Sequence, residues 1–474
     1  MTQNRHNPSQ SCAGTVTVSA LGPGPKEDTA LLLRAMATVI LPAQLRRFAD
    51  GRRDHPIEAA TVSEALVVLE RRNPDLGGYV LDEQRQLRPH LSVFVNGAQA
   101  GAADPLSSAD ELLVLTSISG GSDETALLVG TRKGLFVLGG DRGGALEIRG
   151  RQFDGVPVEY AIRDHRSGRY LAAVTNPWFG PRIHVADDPL GEWTATEGPV
   201  FPESAGATVE RVWVIQPGEA EGELWAGVAP AALFRSRDHG DTWELVESLW
   251  NVPSRPRWEG GAGGLCLHTI CPWPGEPDRM LVGISAAGIW ITNDGCQSWE
   301  MGNAGILAPY LPEDFEPEFQ FCIHHAERSP VDPTRLWMQF HGSVYRSDDA
   351  GSSWNDVADG LPAKFGFPIV ADPNDRDRAW VVPLTADLDR VPPDGRLRVW
   401  ETTDGGTGWA NTGSGLPAGS YQTVLRQAFC HDGRSPLGLY FGVTSGELFG
   451  SADAGASWHT AATRLPGILS VRPG

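Results

Sequence analysis

Ser236-Arg-Asp238-His-Gly240-Asp-Thr242-Trp243 is the stretch that decides the fold, because the chain repeats it. The pattern is Ser or Thr, any residue, Asp, a Gly-containing turn, then Trp. It returns as Thr292-Asn-Asp294-Gly295-Cys-Gln-Ser298-Trp299 and Ser347-Asp-Asp349-Ala-Gly351-Ser-Ser353-Trp354. Two more copies follow, Thr402-Thr-Asp404-Gly-Gly406-Thr-Gly408-Trp409 and Ser451-Ala-Asp453-Ala-Gly455-Ala-Ser457-Trp458. A degenerate copy, Asp187-Asp188-Pro-Leu-Gly-Glu-Trp193, precedes them. The tryptophans recur about every 50 to 56 residues, a period that implies a solenoid or a propeller. The Asp is suited to accept backbone N–H groups across a tight hairpin, the Gly to take a left-handed dihedral and the Trp to pack between units. Asp238, Asp294, Asp349, Asp404 and Asp453 are therefore read as structural.

Working outward, strand pairs recur ahead of each box. Leu224-Trp-Ala-Gly227 is followed by Ala232-Leu-Phe-Arg235, and Leu336-Trp-Met-Gln339 by Ser343-Val-Tyr-Arg346. Residues 127–474 are expected to form a seven-bladed propeller, all-β, with 122–126 as a linker. The segment Gly467-Ile-Leu-Ser-Val-Arg472 resembles the inner strands that open other units, whereas the first unit lacks its own. The C-terminal strand is expected to supply it and close the ring, which removes exposed edges.

The 474 residues carry a formal charge of −20 and sixteen tryptophans. That charge disfavours a nucleic-acid backbone as partner. No apolar run is long enough to span a bilayer, and no membrane partner is expected. The six cysteines are scattered and suggest no disulfide framework. The polar N-terminus has no apolar core of signal-peptide length, so a reduced, cytoplasmic location is expected. Residues 1–35 read as a flexible tail; Met36, directly before the first strand-like run, is an alternative start site.

Residues 36–121 read as one α+β unit. Ala37-Thr-Val-Ile-Leu41 is strand-like. Thr61-Val-Ser-Glu64 is a capping box ahead of an apolar-periodic helix reaching Arg72. Leu91-Ser-Val-Phe-Val95 alternates as a strand, Asn96-Gly97 is a hairpin turn, and Asp110-Glu-Leu-Leu-Val-Leu115 is a last strand before Ser119-Gly120-Gly121. This order describes a β-grasp, ubiquitin-like fold.

Two resemblances follow from these residues. Leu41-Pro-Ala-Gln-Leu-Arg46, Arg88-Pro-His-Leu-Ser-Val-Phe-Val-Asn-Gly97 and the strand ending in Gly120-Gly121 resemble the sulfur-carrier family of ThiS and the small subunit of molybdopterin synthase. That resemblance implies a tail whose terminal glycine is adenylated by a partner enzyme and converted to a thiocarboxylate. Here Gly121 is not terminal, so either a processing protease exposes it or the domain is a docking module. The repeats resemble the BNR or Asp-box superfamily, which includes sialidases and other glycoside hydrolases. Its active sites lie on the face opposite the boxes. A sialidase needs an arginine triad and a Tyr/Glu pair; neither is recognisable, and the nearest string is Pro181-Arg182-Ile183-His184.

The chemical candidates are histidines. Cys266-Leu-His268 and Cys322-Ile-His324 stand 56 residues apart, the same interval as Trp243 to Trp299. They are expected at equivalent places on adjacent inner strands. His325 follows at once, and His341 sits in the hairpin Phe340-His341-Gly342. The long loops 250–264 and 302–320 feed these strands and carry Arg255, Arg257, Glu259, Asp314, Glu316 and Glu318. One reading is a divalent metal held by His268, His324 and His341, with a carboxylate such as Glu318 completing the set. Others are a catalytic or ligand pocket using His268, His324, His325, His341, Glu259 or Glu318, and buried histidines that only satisfy hydrogen bonds. Zinc held by Cys266, His268 and Cys271 is a weaker arrangement, because Cys271 lies beside Pro272.

The expected function is a sulfur-carrier or ubiquitin-like module fused to a propeller that binds a protein or small-molecule ligand. The alternative is a sialidase-like or other glycoside hydrolase, or a metal-dependent enzyme, acting at the histidine-rich face.

Overall fold

The computed structural model describes residues 36–116 and 124–474, apart from positions 42, 47, 83, 84, 89, 90, 97, 262, 313 and 387. The tail 1–35 and the Gly120-Gly121 pair lie outside the described residues. The chain divides into two compact units, Met1–Ile118 and Ser119–Gly474.

In the first unit, strands β1 (Ala37–Ile40), β2 (Asp54–Ile57), β3 (Leu91–Val95), β4 (Ala98–Ala100) and β5 (Glu111–Thr116) form one sheet in the order β2-β1-β5-β3-β4. The central pair β1 and β5 is parallel and the other pairs are antiparallel. This is the β-grasp arrangement. A short helix α1 (Ala43–Arg46) follows β1, and helix α2 (Val62–Arg72) covers the sheet with Val62, Ala65, Leu66 and Leu69. Thr61 caps α2 by accepting the Glu64 N–H, and Glu64 Oε2 reaches back to the Ala60 N–H at 2.8 Å. Buried Val39, Ile57, Leu112 and Val114 meet that helix face in one core. The edge strand β2 was not evident from its sequence, Asp54-His-Pro-Ile57. It carries Pro56, which has no N–H to donate and is tolerated at an edge.

The second unit is a set of four-stranded antiparallel sheets. Five stand alone, and an eight-stranded sheet completes the array. In the eight-stranded sheet, β6 (Glu124–Thr131), β7 (Gly134–Asp141) and β8 (Glu147–Gln152) are completed by the C-terminal strand Ile468–Pro473, which pairs antiparallel with β6. The innermost strands of the array are β9 (Val158–Arg163), Arg211–Pro217, Leu267–Trp273, Ile323–Arg328, Phe365–Ala371, Val424–His431 and Ile468–Pro473. Each packs on the next, and the last packs on β9. They surround a central channel in a propeller-like fold.

The repeated turns join the third strand of a sheet to its short fourth strand. In the first copy Asp238 Oδ1 accepts the Thr242 N–H at 2.9 Å, Oδ2 accepts the Thr242 hydroxyl at 2.6 Å, and Ser236 Oγ accepts the Gly240 N–H at 2.9 Å. His239 and Gly240 both sit at positive φ, 60° and 94°. The left-handed step is therefore two residues long, and only the second position is glycine here. Trp354 and Trp409 donate their indole N–H groups to the backbone of the preceding unit, at Gly302 and Val357. These turns tie neighbouring sheets together.

Candidate functional site

Backbone bulges decide what faces the channel. Pairing of Arg211–Pro217 with its neighbour skips between Val212 and Val214, leaving Trp213 unpaired in register. The same skip falls at His268, between Leu267 and Thr269, and at His324, between Ile323 and His325. A bulge re-aims one side chain and ends strict alternation. Trp213, His268 and His324 thus occupy one position on three successive inner strands, and Phe367 lies in the irregular stretch of the next. Trp213 and His268 meet edge to face at 6.4 Å, and Phe367 stacks on His324 at 4.8 Å.

The structure brings His324 and His341 together and adds Cys322. One ligating atom from each of the three lies within 4.8 Å of the others. The His341 N–H donates to the Cys322 carbonyl at 3.1 Å, which fixes the hairpin against the strand start. His324 Nδ1 is 2.5 Å from the Gly366 carbonyl, and its ring meets Phe365 and Phe367. Burial, with the Arg426 charge nearby, holds His324 neutral, well below the usual imidazole range. Burial raises the Cys322 thiol, but hydrogen bonds from His341 and Ser285 and the charge of Arg426 outweigh it and lower its pKa.

His268 is not part of this group. Its Nδ1 contacts Thr269 Oγ1 at 3.1 Å and its Nε2 the Ile323 carbonyl at 2.9 Å, so both nitrogens are engaged. His325 faces the other way along the channel, 3.3 Å from Glu327. Glu318 is exposed and pairs with Arg257 through two bonds, 2.8 and 3.0 Å, away from the histidines. Glu259, Asp314 and Glu316 are exposed loop residues. Arg255 lies over the Trp250 ring at 4.0 Å and donates to the Ala231 carbonyl. Cys266 is buried, its thiol pushed up to about 11 by burial. Cys271 donates to the Ala326 carbonyl instead of facing Cys266.

Beside the Cys-His group lies a cavity of about 520 Å³ lined by Arg132, Arg211, Arg390 and Arg426, with Glu159, Trp213 and Phe367. Four arginines converging inside a chain of charge −20 are out of keeping with its average surface. Arg211 pairs with Glu159 at 3.3 Å. Burial raises the Glu159 pKa against the pull of Arg211 and Arg132. Arg426 lies over the Phe367 ring at 4.9 Å and the Trp213 ring at 5.7 Å. Its buried Nε has no hydrogen-bond partner among the described residues, which is costly for a charged group unless a ligand or water supplies one. These arginines come from a β6–β7 turn, the start of an inner strand, a loop, and another inner strand. No spacing links them, so sequence reading missed them. The one available signal was the isolated position of Arg426 between apolar and amide residues on its strand.

Deeper in the channel, Gln427 donates to the His268 carbonyl at 2.9 Å, and Arg472 of the C-terminal strand donates to Gln427 Oε1 and to Tyr160 Oη. This crossing separates the arginine cavity from a second mouth of about 390 Å³ lined by His325, Glu327, Cys430, His431 and Arg472. There Glu327 is raised by burial, but His325 and the Ala371 N–H bring its pKa down.

Comparison with known proteins divides along the same line as the fold. Residues 39–121 match the ThiS family. Among curated proteins, 268 residues are 25% identical to the oligoxyloglucan-reducing end-specific xyloglucanase of Emericella nidulans, covering 47% of this chain and 32% of that one. The chain spans about a third of the length of the curated relatives it matches. Among solved structures, an ancestral GH74 enzyme superposes with a TM-score of 0.46 at 13% identity, over 75% of this chain and 40% of that one. SAMP1 from Haloferax volcanii is 31% identical, with a TM-score of 0.17, over 18% of this chain and 98% of its own. Residues 39–121 are a ThiS-type, ubiquitin-like domain, carried on one chain with a propeller-like array that resembles the xyloglucanases.

Proposed function

We propose that this chain joins a ThiS-type carrier module to a seven-bladed Asp-box propeller that binds a small organic anion at its channel mouth. The family match ending at Gly121 carries the first half. By that likeness, an adenylating enzyme is the module's partner, and Gly121 becomes a thiocarboxylate once a protease frees it. The four-arginine cavity and the unpartnered Arg426 Nε support the second half. Tethering raises the effective concentration of one module at the other. A cytoplasmic location fits thiocarboxylate chemistry; among the described residues no helix is long and apolar enough to cross a membrane.

Mass spectrometry of the protein from its native host tests the carrier reading. A fragment ending at Gly121 and bearing a thiocarboxylate is expected. Only intact chain, with the adenylating enzyme present, would leave a docking module. Isothermal titration with citrate and with gluconate tests the anion reading, with Arg426→Gln as control.

A second reading is a glycoside hydrolase, favoured by the likeness to xyloglucanases over about half the chain. Such chemistry needs two carboxylates flanking the scissile bond, one kept protonated. Glu159, raised by burial, has the character of the acid. Release of reducing sugar from xyloglucan oligosaccharides, lost in Glu159→Gln, would establish it.

A further inference from the structure

We infer that Cys322, His324 and His341 bind a thiophilic divalent cation, zinc before others, with one coordination position left for an exchangeable ligand. The inference goes beyond the carrier reading and does not depend on it.

The donors are already gathered. Their ligating atoms lie within 4.8 Å of one another. Around tetrahedral zinc, with bonds of about 2.0 to 2.3 Å, ligand atoms stand about 3.5 Å apart. At most about 1.3 Å separates that spacing from the present one. The backbone is set for it, because the His341 N–H to Cys322 carbonyl bond locks hairpin and strand start together.

The donors are also oriented. A ligating imidazole usually donates its other N–H to a carbonyl or carboxylate, which fixes tautomer and ring plane. His324 Nδ1 meets the Gly366 carbonyl in that way, leaving the Nε2 lone pair for a metal. The His324 ring is held by Phe365 and Phe367, and the His341 ring by Tyr310 at 4.7 Å and Phe365 at 5.2 Å. Rings clamped by aromatic neighbours lose little freedom on ligation.

The donor set selects the ion. One thiolate with two imidazoles suits zinc and its soft neighbours and disfavours magnesium and calcium, which prefer oxygen. Three protein ligands leave a fourth position open, as in catalytic zinc sites. An entry path exists. His341 lines an outward-facing pocket of about 350 Å³ with Pro309, Tyr310, Lys364 and Phe365.

The full-length protein, stripped with chelator, is titrated with zinc chloride alone by calorimetry, and its metal content is read by mass spectrometry after dialysis. One equivalent is expected. Cobalt(II) in place of zinc is expected to give a near-ultraviolet thiolate-to-cobalt charge-transfer band. Cys322→Ser and His341→Ser should each weaken zinc binding at least about 100-fold, at or beyond the loss seen for second-layer substitutions. Cys430→Ala should leave it unchanged. No bound equivalent in the wild-type chain, or a cobalt complex without the thiolate band, overturns the site even if both variants fail to fold. Full binding retained in either folded variant overturns it equally. A Cys322–His341 hydrogen-bonded pair without metal would give that first result.

Discussion

Cys266-Leu267-His268 and Cys322-Ile323-His324 start from the same pattern, sit 56 residues apart and straddle the same bulge, yet they end differently. Each histidine reaches a carbonyl of the following inner strand, His268 at Ile323 and His324 at Gly366. They do so through opposite nitrogens. His268 uses Nε2 because Thr269 Oγ1 takes its Nδ1. The residue after His324 is His325, which turns to Glu327, and His324 meets its carbonyl through Nδ1, leaving Nε2 outside that bond. The hairpins differ too: one interval before His341 stands Ser285. Duplication thus delivers one scaffold twice, and two side chains decide whether it carries a buried structural imidazole or a ligand group.

The sharpest way to break this contrast is to remove each histidine. His268 is fully buried with both nitrogens engaged. His268→Ala should leave a cavity and an unsatisfied Ile323 carbonyl, costing about 3 kcal/mol in denaturant unfolding. Zinc stoichiometry should not change in the folded fraction. A loss of zinc at unchanged stability would reverse the assignment of the two copies.

Titration offers a second test of the same residue. Burial, with Arg426 close by, holds the His268 pKa well below its ordinary 6.5. The folded chain therefore binds fewer protons than the unfolded one below that pH, and stability contributed by the neutral ring is present above it. It is lost as pH falls from about 6.5, at about 1.4 kcal/mol per pH unit for one group. Unfolding measured between pH 8 and pH 5 should show that acid-side slope, and His268→Asn should flatten it.

How much of this was legible follows from where order is local. The box spacing announced the array, and the likeness of residues 467–472 to an inner strand pointed to its pairing with β6. The helix cap at Thr61 and strand β3 were readable from short-range chemistry. The Cys-x-His period located the rim, but strict alternation could not say which nitrogen each ring would present. That depends on a bulge and on contacts from the next strand. The arginine cavity was illegible for a stronger reason. Arg132 and Arg426 are nearly 300 positions apart in sequence and meet only because the inner strands pack in a ring. Glu318 looked available as a loop carboxylate, but Arg257 occupies it from another long loop.

Thiol reactivity sharpens the contrast with a smaller effect. Cys322 has its pKa lowered despite burial, through His341 and Ser285, whereas burial pushes Cys266 up to about 11 and Cys430 up to about 12. The thiolate is the reactive form. In the metal-free chain, iodoacetamide at neutral pH should modify Cys322 several-fold faster than Cys266, as read by peptide mass spectrometry. His341→Ser makes the Cys322 repeat resemble the Cys266 repeat, where Ser285 stands, and should narrow that ratio. Equal rates in the wild-type chain would remove the difference between the two thiols.

The least effect is expected where the Cys266 and Cys322 repeats remain alike, on the opposite rim. Asp294 Oδ1 and Asp349 Oδ1 each accept a backbone N–H, from Ser298 at 3.0 Å and Ser353 at 2.9 Å. Each Oδ2 accepts the hydroxyl of that same serine, at 2.5 and 2.6 Å. The hydroxyl and backbone N–H of Ser298 hold the Asp294 carboxyl down at about 2. At Asp349 burial opposes the fall, and the bonds from Ser353 overcome it. A depressed carboxyl contributes stability that is present above its unfolded value near 3.8 and lost as pH falls through the folded value. Asp294→Asn should therefore flatten acid unfolding between about pH 4 and pH 2, and Asp349→Asn should act in the same direction; neither should alter zinc binding or Cys322 alkylation. A change in zinc binding or in Cys322 alkylation with either variant would mean that the divergence between the Cys266 and Cys322 repeats extends through the whole blade and is not confined to the channel end.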